Sequence, residues 1–250
     1  MYLLLRGMMQ NQITVKIRRF DRNSGEPSRF DTFRVEREDR MNVLDVLGKI
    51  QNTQDPSLAF RYSCRVGMCG TCSVRVNGRN RWTCRTSVEK LGKDLLVIEP
   101  LPHYPVIRDL VVDIQPFFEN YRKIIPQFVP AQPDRKGFAR ISSDSRERRE
   151  IDQHIECITC GNCLGECSLV EINKAYIGPA ALNRAYTLIE DSRDGAAPER
   201  LSILNSHSGV WGCHTQFNCT EVCPVGISPT RAIQRLKRKE VVGAFTEYFR

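Results

Sequence analysis

The chain has 250 residues, 41% of them hydrophobic and 26% charged, and carries a formal net charge of +8. That length admits one large domain or two small ones, and that apolar share supports packed cores, which excludes a disordered chain. No run approaches the roughly 18 uninterrupted apolar residues of a membrane span, so any membrane link is expected to come through partners.

The opening MYLLLRGMMQ is too short in its apolar stretch for a secretory signal and has no small-residue cleavage site. Residues 12–20 alternate apolar and polar as a half-buried strand does, and Arg18-Arg19 lies inside that pattern rather than ahead of an export segment. Asn23-Ser24-Gly25 supplies a turn, and Phe33 and Val35 fit a second strand. Val43, Val46, Leu47 and Ile50 recur at helical spacing behind Asn42, a good N-cap residue. Val74 and Val76 lead into Asn77-Gly78, a type I′ hairpin signal, and residues 95–98 make a last strand. The expected first unit is therefore antiparallel-rich α+β and covers residues 1–108.

Pro116, Pro126, Pro130 and Pro133 break up residues 109–140, which read as a connector with one short helix near Phe117 to Lys123. Residues 141–250 turn helical, with short helices expected over 180–190 and 229–243. Arg231, Arg235, Lys237, Arg238 and Lys239 crowd together there, with only Glu240 following to offset them, and are expected to face an anionic partner.

Cysteine makes the reading specific. There are eleven, an odd number, so full internal disulfide pairing is impossible. They fall into three groups with none left over: Cys64, Cys69, Cys72 and Cys84; Cys157, Cys160, Cys163 and Cys167; and Cys213, Cys219 and Cys223. Such clustering points to metal ligation in a reducing compartment.

The first group has the spacing C-x4-C-x2-C plus a distant cysteine, the plant-type [2Fe–2S] pattern. A zinc site fits x4 followed by x2 poorly. Gly67 and Gly70 let backbone N–H groups approach the sulfurs, and Arg65 adds positive charge. The second group is the bacterial C-x2-C-x2-C-x3-C run, whose fourth cysteine serves a neighbouring cluster, with Cys223-Pro224 closing the first cubane. Cys157, Cys160, Cys163 and Cys223 are thus expected to hold a [4Fe–4S] cluster. The third run departs from the pattern at Gln216, where a cysteine would complete it. Cys167, Cys213 and Cys219 remain, enough for a [3Fe–4S] cluster. The alternative is a cube with Gln216, His214 or water at the fourth iron.

SCRVGMCGTC, VIRDLVVD, CITCGNCLGEC, GPAALNRAY, EDSRD and GVWGCHTQFNCTEVCP together resemble the iron–sulfur subunits of the succinate dehydrogenase and fumarate reductase family. The resemblance covers nearly the whole chain. It implies a plant-type ferredoxin (β-grasp-like) domain followed by an all-α bacterial-ferredoxin-like domain. It implies as partners an FAD-containing flavoprotein and a quinone-binding membrane anchor, with the chain peripheral on the cytoplasmic face of the inner membrane. Electrons would run from FAD through the three clusters to quinone, or the reverse in a fumarate reductase.

His214 and Lys237 match positions associated with the quinone pocket, whereas Ser168 and Ile172 stand where relatives commonly have proline and tryptophan. Trp211 is expected as a core aromatic, with packing over the clusters as the alternative. No Rossmann glycine motif, nucleophile elbow or clustered His/Arg set for dicarboxylate chemistry is present, so no catalytic residue is assigned. The positive charge invites nucleic acid, but the basic residues lack interleaved aromatics that stack on bases. An electron-transfer role with another flavoenzyme would call for further cysteine-rich modules or two complete [4Fe–4S] runs, which the sequence lacks.

Overall fold

The structure is a computed structural model that describes residues 12–248, with side chains through residue 245. The reading of MYLLLRGMMQ therefore falls outside the described residues. The chain divides between Ile114 and Gln115 into two compact units, within the segment expected to connect them.

The first unit is a five-stranded mixed sheet covered by one long helix. Strands β1 (Gln12–Arg19), β2 (Arg29–Glu36), β3 (Ser73–Val76), β4 (Arg79–Trp82) and β5 (Leu95–Glu99) are ordered β2-β1-β5-β3-β4. Alternation buries Ile13, Val15 and Ile17 of β1, and helix α1 (Val43–Thr53) lays Val43, Val46, Leu47 and Ile50 on the same core, while a one-turn helix α2 (Val88–Leu91) follows β4. Asn42 caps α1 in a capping box with Asp45, each side chain accepting from the other's backbone N–H. Asn77 and Gly78 both take positive φ, 49° and 79°, as a type I′ turn between β3 and β4 requires.

Two features go beyond the sequence expectation of an antiparallel-rich unit. β5 pairs in parallel with β1, Thr14 opposite Leu95 through Ile17 opposite Ile98, although its other neighbour β3 is antiparallel. Parallel pairing joins segments some 80 residues apart, which local patterning does not reveal. A small hairpin of β6 (Val106–Arg108) and β7 (Val111–Val112) extends this unit beyond residue 108, turning at Asp109 with φ 46°.

Asp109 ties that turn to the sheet. Its carboxylate accepts from Arg19 at 2.9 Å, from the Phe20 N–H and from the Ala59 N–H. Arg19 is itself buried and also meets Asp31, Asp55 and Ser57, so the Arg18-Arg19 pair serves the end of a strand.

The second unit is helical among its described residues: α3 (Gln115–Arg122), α4 (Arg146–Ile155), α5 (Asn162–Gly165), α6 (Leu169–Ile172), α7 (Pro179–Ile189), α8 (Ala197–Leu204), α9 (Asn218–Glu221) and α10 (Pro229–Tyr248). The central α7 starts with Pro179 behind Gly178 at φ 94° and packs against α4, α8 and α10. Arg200 of α8 is completely buried, paired with Asp194 and donating to the Ile125 and Gln127 carbonyls. Each polar end thus finds a partner, the condition for burying a charge. α10 runs for 20 residues, longer than the short helix expected, because no proline or cap residue interrupts it. No described helix is long and apolar enough to cross a membrane.

Candidate iron–sulfur sites

In the first unit, Cys64, Cys69 and Cys72 lie on the loop between α1 and β3, and Cys84 on a 3-10 turn (Thr83–Arg85) after β4. The Thr83 N–H donates to the Cys72 carbonyl at 3.2 Å, which holds the turn against the loop. Cys72 and Cys84 are buried with their sulfurs 3.4 Å apart, while Cys64 and Cys69 are partly exposed. The backbone N–H groups of Met68 and Cys69 point at the Cys64 sulfur at 3.2 and 3.3 Å. These donors, with that of Val66, draw its thiol down to about 6. Burial and the neighbouring Cys72 sulfur instead push Cys84 up to about 11.

Gly67 takes φ +75°, and its N–H opposes the rise of the Cys84 thiol. A Cβ there would lie 2.7 Å from the Arg85 Nε, so a side chain would be both strained and crowded. Gly70 also has positive φ, 70°. Arg65 does not extend freely into solvent, because its guanidinium covers the Tyr62 ring at 4.8 Å. Four sulfurs, two buried as a close pair and one drawing several N–H donors, suit thiolate ligation of a [2Fe–2S] cluster.

In the second unit, Cys157, Cys160, Cys163 and Cys223 line one cavity whose remaining walls include Ile158, Ala180, Val225 and Ile227. Positive φ at Thr159 (55°) and Gly161 (81°) curls the loop so that successive cysteines turn inward, and Cys163 sits on α5. Burial raises the Cys157 thiol, and the Thr159 N–H opposes that shift. Cys163 is pushed well up by burial and by the sulfurs of Cys160, Cys157, Cys219 and Cys223. Proximity that resists simultaneous ionisation is what shared iron relieves, so the donor set fits a cubane.

Cys167, Cys213 and Cys219 are all buried and act electrostatically on one another. Cys167 is raised to about 11, by burial first, against the N–H groups of Leu169 and Val170 at the start of α6. Cys213 accepts from the Thr215 N–H at 3.4 Å, and Cys219, on α9, lies 3.3 Å from the Thr230 hydroxyl. Gln216 is exposed, and its carboxamide oxygen accepts the Ser168 hydroxyl. It stands between Thr215 and Phe217, both at positive φ (60° and 64°).

His214 is exposed. Lys237 reaches back from α10 to the Cys213 carbonyl at 2.7 Å and lies 5.7 Å from the Trp211 ring centre. Trp211 is 38% exposed, with its indole N–H on Asn205, which corrects the expectation of a core aromatic. A loop of glycines and 3-10 turn (Val210–Gly212) leaves no helix or strand face to bury it.

The C-terminal basic group is also less free than its local sequence suggests. Arg231 and Arg235 approach Glu150, and Lys239 pairs with Glu190 at 3.0 Å. These acids come from α4 and the end of α7, so only the fold reveals the offset.

Sequence reasoning missed Tyr176. Its ring is buried, and burial with the sulfurs of Cys213, Cys167 and Cys219 raises its pKa far above the usual phenol value. Gly212 has no room for a side chain because a Cβ would lie 2.6 Å from the His207 carbonyl oxygen and 2.9 Å from that ring. A tyrosine three residues before α7 and nine after Cys167 carries no local signal of this role.

Comparison with known proteins finds two iron–sulfur domains in the chain. Residues 14–119 match the family model of a 2Fe-2S iron-sulfur cluster binding domain, and residues 153–227 that of a 4Fe-4S dicluster domain. The chain is 39% identical over 228 residues to the succinate dehydrogenase iron-sulfur subunit of Paracoccus denitrificans, covering 90% of this chain and 86% of the relative. It is 40% identical over 204 residues to the mitochondrial succinate dehydrogenase [ubiquinone] iron-sulfur subunit 1 of Oryza sativa subsp. japonica, covering 80% and 71%. A chain of the Mycobacterium smegmatis Sdh1 complex in the apo form superposes with a TM-score of 0.85 at 29% identity, covering 94% of this chain and 97% of that one.

Proposed function

The chain belongs to the family of succinate dehydrogenase iron–sulfur subunits, and on that premise we propose that it carries electrons between a flavoprotein and a quinone-binding membrane anchor. The observation that supports this most is the sorting of all eleven cysteines into three neighbourhoods that suit clusters. Cys64, Cys69, Cys72 and Cys84 would hold [2Fe–2S]; Cys157, Cys160, Cys163 and Cys223 [4Fe–4S]; Cys167, Cys213 and Cys219 [3Fe–4S]. When bound, the three clusters supply one-electron carriers in series from FAD to quinone.

The protein's own groups prepare that path. N–H donors around Cys64, and the Gly67 N–H at Cys84, favour the negative charge that an arriving electron adds. Burial of Cys72, Cys84, Cys167, Cys213 and Cys219 excludes water and limits solvent rearrangement. The oxygen of Gln216 is already engaged by Ser168, which favours three thiolates over a Gln216-ligated cube.

His214 is placed to reach an outside ligand, and Lys237 to hold the backbone beside it, so both remain candidates for the quinone site. The C–H chemistry of succinate belongs in this reading to the flavoprotein. The chain would sit peripherally on the cytoplasmic face of the inner membrane, held by the anchor, in the direction of succinate oxidation. Redox-titrated electron paramagnetic resonance of the purified complex tests this. Three separate centres are expected, one of them [3Fe–4S] when oxidised, and fewer than three would overturn the assignment.

A further inference from the structure

Cys219 stands at the end of a chain of hydroxyls that starts at Ser228, just ahead of α10. Its sulfur is 3.3 Å from Thr230 Oγ1, and Thr230 is 1% exposed. The Thr220 hydroxyl donates to Thr230 Oγ1 at 3.0 Å, and the Ser228 Oγ lies 3.3 Å from Thr220 Oγ1. Ser228 Oγ in turn accepts the Arg231 N–H at 3.3 Å, as a helix cap does.

The direction of this chain follows from its end. A thiolate has no proton and can only accept, so the single Thr230 proton goes to the sulfur. Thr230 then offers a lone pair to Thr220, whose own proton is thereby committed, and Ser228 must donate to Thr220. Arg231 N–H, Ser228, Thr220 and Thr230 all donate the same way, toward Cys219. Aligned donors polarise one another, and the N-terminus of a 20-residue helix adds positive potential at the same end.

We propose that Thr230 is a positioning residue that acts through Cys219, its hydroxyl aligned by Thr220 and Ser228 to raise the reduction potential of the cluster held by Cys167, Cys213 and Cys219. The inference rests on the assignment of Cys219 as a ligand. Reduction adds negative charge to the cluster and its sulfurs, so a donor to the sulfur stabilises the reduced form more than the oxidised one. A role limited to starting α10 would not need this, because Ser228 already caps the helix.

The test is a redox titration of the [3Fe–4S] resonance in the intact complex. Thr230→Val keeps the shape and removes the donor. At a fixed ambient potential the oxidised-to-reduced ratio should rise about tenfold, a fall of about 59 mV in midpoint. Thr230→Ser should restore the wild-type midpoint. Thr220→Val, which leaves the Thr230 donor but unaligns it, should move the ratio about two- to threefold in the same direction. Should Thr230→Val fail to assemble its cluster, Thr220→Val decides. An intact resonance with an unmoved midpoint in the variants that assemble would overturn the relay. A wild-type complex lacking that resonance would instead overturn the ligand assignment, and the relay with it.

Discussion

The Lys237 ammonium donates a 2.7 Å hydrogen bond to the main-chain carbonyl of Cys213. The bond spans 24 residues and fastens α10 to the loop that carries a proposed cluster ligand. A charged donor of this kind contributes about 1.5–3 kcal/mol. Lys237→Met is expected to lower the midpoint of the third centre and to slow quinone reduction several-fold, while succinate oxidation with a flavin-level artificial acceptor persists. Parallel redox titration and the two assays check this, and unchanged values in both would return Lys237 to the surface.

Arg19 answers three carboxylates at the end of β1, and one of them, Asp109, is buried beside it. Arg19→Met leaves Asp109 without its counter-charge, for a destabilisation of about 3–5 kcal/mol. Thermal loss of the [2Fe–2S] visible absorption should come at lower temperature, and a melting curve matching wild type would contradict this account. The same network gives an acid dependence. The Ser57 hydroxyl and then Arg19 hold Asp55 down to about 2, so its folded value lies below the unfolded one. Its contribution is complete above about pH 4 and lost as pH falls toward 2. Asp55→Asn should flatten the dependence of melting temperature on pH in that window.

His154 is buried, with its Nδ1 2.6 Å from the Asn183 oxygen, and Asn183 returns a bond to the His154 carbonyl at 3.0 Å. Burial lowers its pKa, so folding favours the neutral ring. Stability from this group is present above the unfolded value near 6.5 and is lost as pH falls below it. The second unit should melt at lower temperature at pH 5 than at pH 7, followed by the [4Fe–4S] absorption. His154→Gln should reduce that difference, and an undiminished slope would place the acid sensitivity elsewhere.

Local signals carried much of this structure. Asn42 with its capping box, the helical spacing of Val43, Val46, Leu47 and Ile50, and Asn77-Gly78 each act within a few residues, where pattern and physics coincide. The cysteine runs are legible for the same reason, since cluster ligands repeat at fixed short spacings. What stayed hidden depends on distant segments. The parallel pairing of β1 with β5, the acids Glu150 and Glu190 that meet the α10 cations, and the Tyr176 ring packed against Gly212 all join parts unrelated by local sequence. The motif EDSRD shows the opposite limit. Its Asp194 faces the buried Arg200, so a segment that stands out in the sequence proves to brace the fold.

Gln216 offers the sharpest test of the third cluster, because its identity depends on one absent thiolate. Gln216→Cys restores the complete C-x2-C-x2-C-x3-C-P run and removes the carboxamide held by Ser168. The loop backbone there already bends through positive φ at Thr215 and Phe217, so the substitution changes the donor without demanding a new turn. The oxidised [3Fe–4S] resonance should disappear and a second reduced [4Fe–4S] signal should replace it. Its midpoint should fall, each ~59 mV shifting the occupancy ratio tenfold. Quinone reduction should slow while the flavin-level assay persists. A variant that keeps the [3Fe–4S] resonance would show that residue 216 does not reach the open corner, and the third run would then need a different alignment.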